Sequence, residues 1–89
     1  MEIVWDPGKS ALNLKKHGVG FSMAATALDD PMAITIEDKR HDEQRFVTVG
    51  SCATGAVLVV VFAYAGNTIR LISARKAIPR ERSDYEKGI

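Results

Sequence analysis

The order of structural signals along this chain predicts an α+β fold: a short N-terminal strand and two helices, an antiparallel β-meander, and a short C-terminal helix. Three observations carry that expectation. Two helical segments with recognisable start and stop residues occupy the first third of the chain. Four β-prone runs separated by turns follow without a helical break, so each can pair with the next. One of them, Ala56 to Ala65, holds Val57, Leu58, Val59, Val60, Val61 and Phe62 without a polar interruption, as a central strand covered on both faces requires. At 89 residues the chain is read as one domain over 1–89, and 46% hydrophobic with 26% charged residues is the composition of a folded protein rather than a disordered one.

Glu2 to Trp5 is β-prone. Asp6-Pro7 then supplies a helix N-cap followed by proline at the first helical position. The helix runs from Pro7 to His17 and Gly18 ends it in the left-handed cap position. Its spacing predicts Ala11 and Leu14, with Leu12 beside them, on the inner face and Lys9, Asn13, Lys16 and His17 on the outer one. A second helix is expected over Ser22 to Leu28, stopped by Asp29-Asp30-Pro31. Strands follow over Ala33 to Glu37, Arg45 to Gly50, Ala56 to Ala65 and Thr68 to Arg75. The charged stretch Asp38 to Glu43 and the turns Ser51 to Gly55 and Gly66-Asn67 join them, and Pro79 opens the last helix, which ends near Gly88. Helices are expected over one face of the sheet. Within Thr68 to Arg75 strict alternation sends Arg70 and Arg75 to opposite faces unless a bulge intervenes.

Charge is unevenly spread. The chain carries a formal net charge of +1, yet Thr68 to Lys87 holds six cations against three acids while the remainder nets minus two. A basic end on a nearly neutral protein attracts polyanions, of which nucleic acid is the commonest. Arg75, Lys76, Arg80 and Arg82 crowd the start of the last helix, where cations oppose the helix dipole. Together with the helix N–H groups they would form a phosphate site, against a bland reading as a solvated face with Arg82 and Glu86 paired.

Other residues carry two readings each. His17 beside Lys15 and Lys16 suits acid–base work on a phosphodiester, or simply caps its helix. Tyr85 and Trp5 could stack on bases or pack, and for Trp5, which follows Ile3 and Val4, packing is preferred. Arg45 on an interior strand seeks a phosphate or a carboxylate, with Glu37 or Asp38 within reach. His17, His41 and Cys52 lack metal-ligand spacing, and no glycine-rich phosphate loop or nucleophile elbow is present. The lone Cys52 gives no internal disulfide, no signal peptide is evident and the longest apolar run falls short of the roughly 20 residues a membrane helix needs, so a cytoplasmic location is expected.

Residue by residue the chain resembles the BrnT family of type II toxins over essentially its whole length. The matching pieces are Trp5-Asp6-Pro7 with Lys9, Asn13-Leu14, Lys16-His17-Gly18-Val19, Phe21, Asp30-Pro31, Arg45-Phe46 and Leu58-Val59-Val60-Val61. Arg70-Leu71-Ile72-Ser73-Ala74-Arg75-Lys76-Ala77, Glu81-Arg82 and Tyr85-Glu86 complete the set. The resemblance implies a RelE-like fold and a ribonuclease that arrests growth by cutting RNA without a metal or other cofactor. It also implies a BrnA-like antitoxin that forms a hetero-oligomer with the toxin and supplies any contact with operator DNA. On that reading Arg75 with Arg82 or Arg45 stabilises the scissile phosphate and His17 or Lys16 acts as base or acid. Tyr85 stacks or donates a proton, and Arg70, Lys76 and Arg80 hold the RNA backbone. A non-enzymatic module for binding nucleic acid or protein is the alternative, and DNA, lacking the 2′-OH nucleophile, is excluded as a substrate.

Overall fold

The computed structural model describes residues 1–88. Its elements run in the order β1 (Glu2–Val4), α1 (Pro7–His17), α2 (Phe21–Ala27), β2 (Ile34–Asp38), β3 (Arg45–Ser51), β4 (Val57–Ala65), β5 (Thr68–Lys76) and α3 (Pro79–Lys87). The five strands form one sheet in the order β1-β5-β4-β3-β2, so β4 is central as its unbroken apolar run requires. Pairs β2–β3, β3–β4 and β4–β5 are antiparallel, and β1 adds to β5 in parallel. Among the described residues no helix is long and apolar enough to cross a membrane.

The local chemistry of the helix ends explains where they fall. Asp6 accepts from the backbone N–H of Gly8 at 2.7 Å and of Lys9 at 3.4 Å, which covers two of the donors a helix start leaves unpaired. Gly18, at φ 74°, turns its N–H back to the Leu14 carbonyl at 2.8 Å. The start of α2 has no side-chain cap of its own; Ser10 on α1 supplies it, accepting from the Phe21 N–H at 2.9 Å. That bond locks the two helices together at the chain reversal.

The core lies between α1–α2 and one face of the sheet, where Val19, Phe21, Ala24 and Ala27 meet Leu58, Val60, Phe62, Leu71 and Ala74. Trp5 packs against this cluster. Gly50 is required for the close approach: a Cβ there would stand 2.6 Å from the Ala27 carbonyl oxygen.

Three expectations are corrected. The helices do not share one face, because α3 lies on the opposite side, held there by Arg75 and by contacts with β3. Next, α1 is turned the other way round. Leu12 and Leu14 are 68% and 55% exposed, and the buried residue is Asn13. Its amide donates to the carbonyls of Val19 (2.7 Å) and Ala74 (2.8 Å) and accepts from the Ala74 N–H (3.2 Å). The physical reason is the strand edge. β1 covers β5 only from Thr68 to Arg70, which leaves the rest of that edge unpaired, and one asparagine amide matches a peptide group in both donor and acceptor. Lastly, the alternation of β5 breaks. Val61 pairs with Ser73 but Phe62 with Leu71, so Ile72 is an extra, bulged residue.

Candidate nucleic-acid interface

The bulge determines which side chains gather. On β4 the residues Val59, Val61 and Ala63 face away from α1 and α2, and their partners on β5 are Arg75, Ser73 and Arg70. Were Ile72 paired in regular alternation, Arg70 would point into the core side; because it is bulged out, Arg70 and Arg75 share one surface. The register of β3 puts Arg45 on that surface too, since Val47 and Val49 pair with Val61 and Val59. Val47, Val49 and Val59, with Ile34 and Ile36 of β2, form an apolar floor beneath a cavity of about 550 Å³, walled by Arg40 on one side and by Arg75 and Glu81 on the other.

The edge of the sheet contributes the histidine. Asn13 anchors α1 against β5, and His17 lies about one helical turn further on, where the helix passes the end of the strand-paired edge. His17 therefore reaches round to the opposite face and lines a cavity of about 350 Å³ with Ser73, Arg75 and Arg40. Lys16 opens into the adjoining crevice between α1 and the bulge, with Lys9, Ile72 and Ser73. A histidine, a hydroxyl and two guanidiniums around one opening are chemically suited to an anion and to proton transfer.

Each guanidinium on this face already has a carboxylate. Arg75 donates through both terminal nitrogens to Glu81, at 2.8 Å each, and this hydrogen-bonded pairing raises the Arg75 pKa despite some desolvation. The same hydrogen bonds hold the Glu81 carboxyl below its usual range, helped by the Ile78 N–H at 2.9 Å. Glu81 thus places a negative charge in the first turn of α3 and offsets the cations that oppose the dipole there. Asp38 accepts from Nε and a terminal nitrogen of Arg40, both at 2.8 Å, and from its backbone N–H at 3.1 Å, which hold the carboxyl far below its ordinary value. Arg45, although the ladder partner of Asp38, makes no ion pair with Asp38 or with Glu37, which accepts from Gln44. Its Nε is 3.5 Å from Glu43, and the same carboxylate accepts from Arg70 at 2.6 Å.

Of the residues singled out in the sequence, the structure puts Arg45, Arg70 and Arg75 on one face of the sheet, with His17 beside Arg75 and Lys16 in the crevice adjoining it. It does not bring the others there. Arg80 and Arg82 are exposed on α3 and make no ion pair with a described residue. Lys76 pairs in register with Leu58 and so leaves from the helix-covered face. Tyr85 sits at the far end of the apolar floor, with its hydroxyl donating to Asp30, a contact that raises the tyrosine pKa. Asp30 also accepts from Ser51 N–H (2.8 Å) and Met32 N–H (2.9 Å); those bonds, Ser51 foremost, hold its carboxyl low.

Sequence reading passed over Arg40, Glu43 and Ser73, all of which stand on this face. The local signal for Ser73 was its place between two arginines on one strand, visible only once the bulge is known. Among the described residues, no three His, Cys, Asp or Glu side chains gather where a metal ion could be held.

Comparison with known proteins assigns the fold and the family. A family model described as the ribonuclease toxin BrnT of type II toxin–antitoxin systems matches residues 5–81. The crystal structure of the Brucella abortus ribonuclease toxin BrnT is similar to this chain at 27% identity with a TM-score of 0.71, over 88% of this chain and 97% of that one. No curated protein matches.

Proposed function

This chain belongs to the BrnT family of ribonuclease toxins of type II toxin–antitoxin systems, and on that premise we propose that it cuts RNA internally, without a metal ion, on the basic face of its sheet. The observation that carries the reading is the Ile72 bulge, which places Arg70, Ser73 and Arg75 on one surface with His17 at its edge.

Cleavage proceeds by attack of the ribose 2′-oxygen on phosphorus and departure of the 5′-oxygen, leaving a 2′,3′-cyclic phosphate and a 5′-hydroxyl end. A base takes the 2′-OH proton and an acid returns one to the leaving oxygen. His17 and Lys16 supply these two transfers from the α1 edge. Arg75, held in place by Glu81, neutralises the charge that builds on the phosphate, and Ser73 donates beside it. Arg70 and Arg45 hold the backbone further along the sheet. The exposed Arg80 and Arg82 of α3 extend the basic surface, Lys76 does so from the other face, and Tyr85 anchors α3 through Asp30.

A BrnA-like antitoxin silences the protein by covering this surface and brings whatever operator DNA the complex binds. The test is cleavage of a labelled single-stranded RNA by purified protein, with and without EDTA. Products carrying a cyclic phosphate, and blockage by a single 2′-deoxy substitution at the cut, are expected. Chelator-dependent activity, or equal cleavage of the deoxy substrate, overturns the reading. Growth arrest on expression alone, relieved by co-expressing the antitoxin in a stable hetero-oligomer, tests the partner.

A further inference from the structure

Among the described residues, Glu43 is the one carboxylate that ion-pairs with two arginines of this face. It stands 2.6 Å from a terminal nitrogen of Arg70 and 3.5 Å from Nε of Arg45. Those arginines lie on β5 and β3, on either side of β4. Arg70 pairs across Ala63, and Arg45 is one step beyond the Phe46↔Phe62 pair, so it flanks the same residue. Ala63 is small, and the two guanidiniums close over it rather than over a bulky side chain. The Arg45 Nε is buried and makes no hydrogen bond, since 3.5 Å is an ion-pair distance with little directional bonding. One donor of the pair is thus left unused by the occupant it has. Glu43 meets the two arginines with one oxygen each, and the charged oxygens of a phosphodiester match the same guanidinium donors.

We infer that Arg45 and Arg70 form a phosphate-binding subsite for RNA, separate from the cleavage centre, and that Glu43 is its internal occupant, which the RNA backbone displaces. The subsite lies four residues of β4 from Val59, the partner of Arg75, about 13 Å at the rise of a strand. That is more than one phosphate step along an extended RNA, so the phosphate bound here is not the one being cut. Glu43 belongs to the 39–44 connection between β2 and β3, outside the sheet, and can swing away without breaking a strand pair. Displacing it costs little, because both partners are partly exposed, 38% for the Arg70 side chain and 45% for Glu43. The carboxylate keeps two like charges together when no RNA is bound and weakens contact with any anion that cannot bridge both arginines.

This inference rests on the proposed RNA-cutting role, and its test reads binding rather than cleavage so that the two can fail separately. The probe is a fluorescent 2′-O-methyl oligoribonucleotide, which lacks the nucleophile, titrated with full-length protein. Glu43→Gln is expected to tighten binding about two- to five-fold at low salt, and Arg70→Gln to weaken it while flattening the salt dependence by about one unit of slope. The decisive measurement is the cycle. In an Arg45→Gln/Arg70→Gln background, Glu43→Gln should lose its effect. An equal gain in both backgrounds would show that Glu43 acts only through net charge and would overturn the subsite, as would unchanged binding in Glu43→Gln. Cleavage that survives alongside either result leaves the catalytic reading standing. A gain seen with antitoxin but not with the oligonucleotide would equally refute the assignment to RNA.

Discussion

Replacing Asn13 by alanine should be among the most damaging single changes in this chain, although a helix-wheel reading treats the position as solvent-facing. The amide makes three hydrogen bonds in a buried setting, two to Ala74 and one to Val19. Each such bond is worth about 1 kcal/mol net, and truncation also strands two carbonyls and one N–H away from water. A loss of about 3 kcal/mol follows, with larger values if no water enters. For a domain of this size 1 kcal/mol moves Tm by about 4–8 °C, so the expected fall is roughly 12–24 °C. Thermal and urea unfolding followed by circular dichroism measure it. Asn13→Asp should be no better, because a carboxylate cannot donate to the two carbonyls. By contrast Leu12→Ala, on the same helix but 68% exposed, should change stability by less than about 0.5 kcal/mol. A Tm drop of only a few degrees in Asn13→Ala, or a larger one in Leu12→Ala, would refute the orientation of α1 and with it the route by which His17 reaches the site. At a temperature where Asn13→Ala is still folded, cleavage should nonetheless fall, since the tether that aims His17 is gone.

Other expected outcomes follow from the same geometry. Arg75→Ala should slow RNA cleavage about 100-fold or more while the far-UV spectrum is unchanged, read on labelled RNA; Lys87→Ala should match wild type. Gly50→Ala should cost about 1–3 kcal/mol, because its Cβ would collide with the Ala27 backbone oxygen at 2.6 Å; urea titration checks it. The folded-state pKa of Glu81 is depressed, so its pairing stabilises the fold above the ordinary glutamate pKa and is lost as pH falls through the lowered folded value. Acid unfolding of Glu81→Gln should therefore show a shallower decline below about pH 4 than wild type. Tyr85→Phe should lower Tm by releasing Asp30 yet keep cleavage within a few-fold of normal, since its hydroxyl is bonded to Asp30 and it does not line the cavity that His17 lines; a large rate loss would restore the tyrosine to the chemistry.

Elements and their order were readable because their signals are local. Asp6-Pro7, Gly18 and Pro79 mark helix ends through their own backbone chemistry, and Val57 to Phe62 could sit nowhere but the middle of a sheet. What escaped depends on partners distant in sequence. Nothing local tells an outward Asn13 from one whose amide completes a strand edge 61 residues away. Nor does the run from Thr68 to Lys76 reveal its bulge, because Leu71, Ile72 and Ala74 offer apolar side chains to either face. The 39–44 connection looked like inert surface for a related reason. Its charges matter only once folding lays Asp38 against Arg40 and Glu43 against Arg45 and Arg70.

The extra residue in β5 also gives the strand a parity. Residues 68–71 and 73–76 are each in register with β4, but out of phase with one another by one side chain. Deleting Ile72 would therefore restore a regular ladder and leave every other pair in place, Ala63 with Arg70 and Val59 with Arg75, so both arginines would keep their face. Pairing Ile72 with β4 at unchanged length would instead slide one flank by a residue, exchanging either Arg70 with its neighbours Ile69 and Leu71 or Arg75 with Ala74. The sheet could survive such a slip while its arginines faced in two directions. What keeps the surface one-sided is that Ile72 stays out of the ladder.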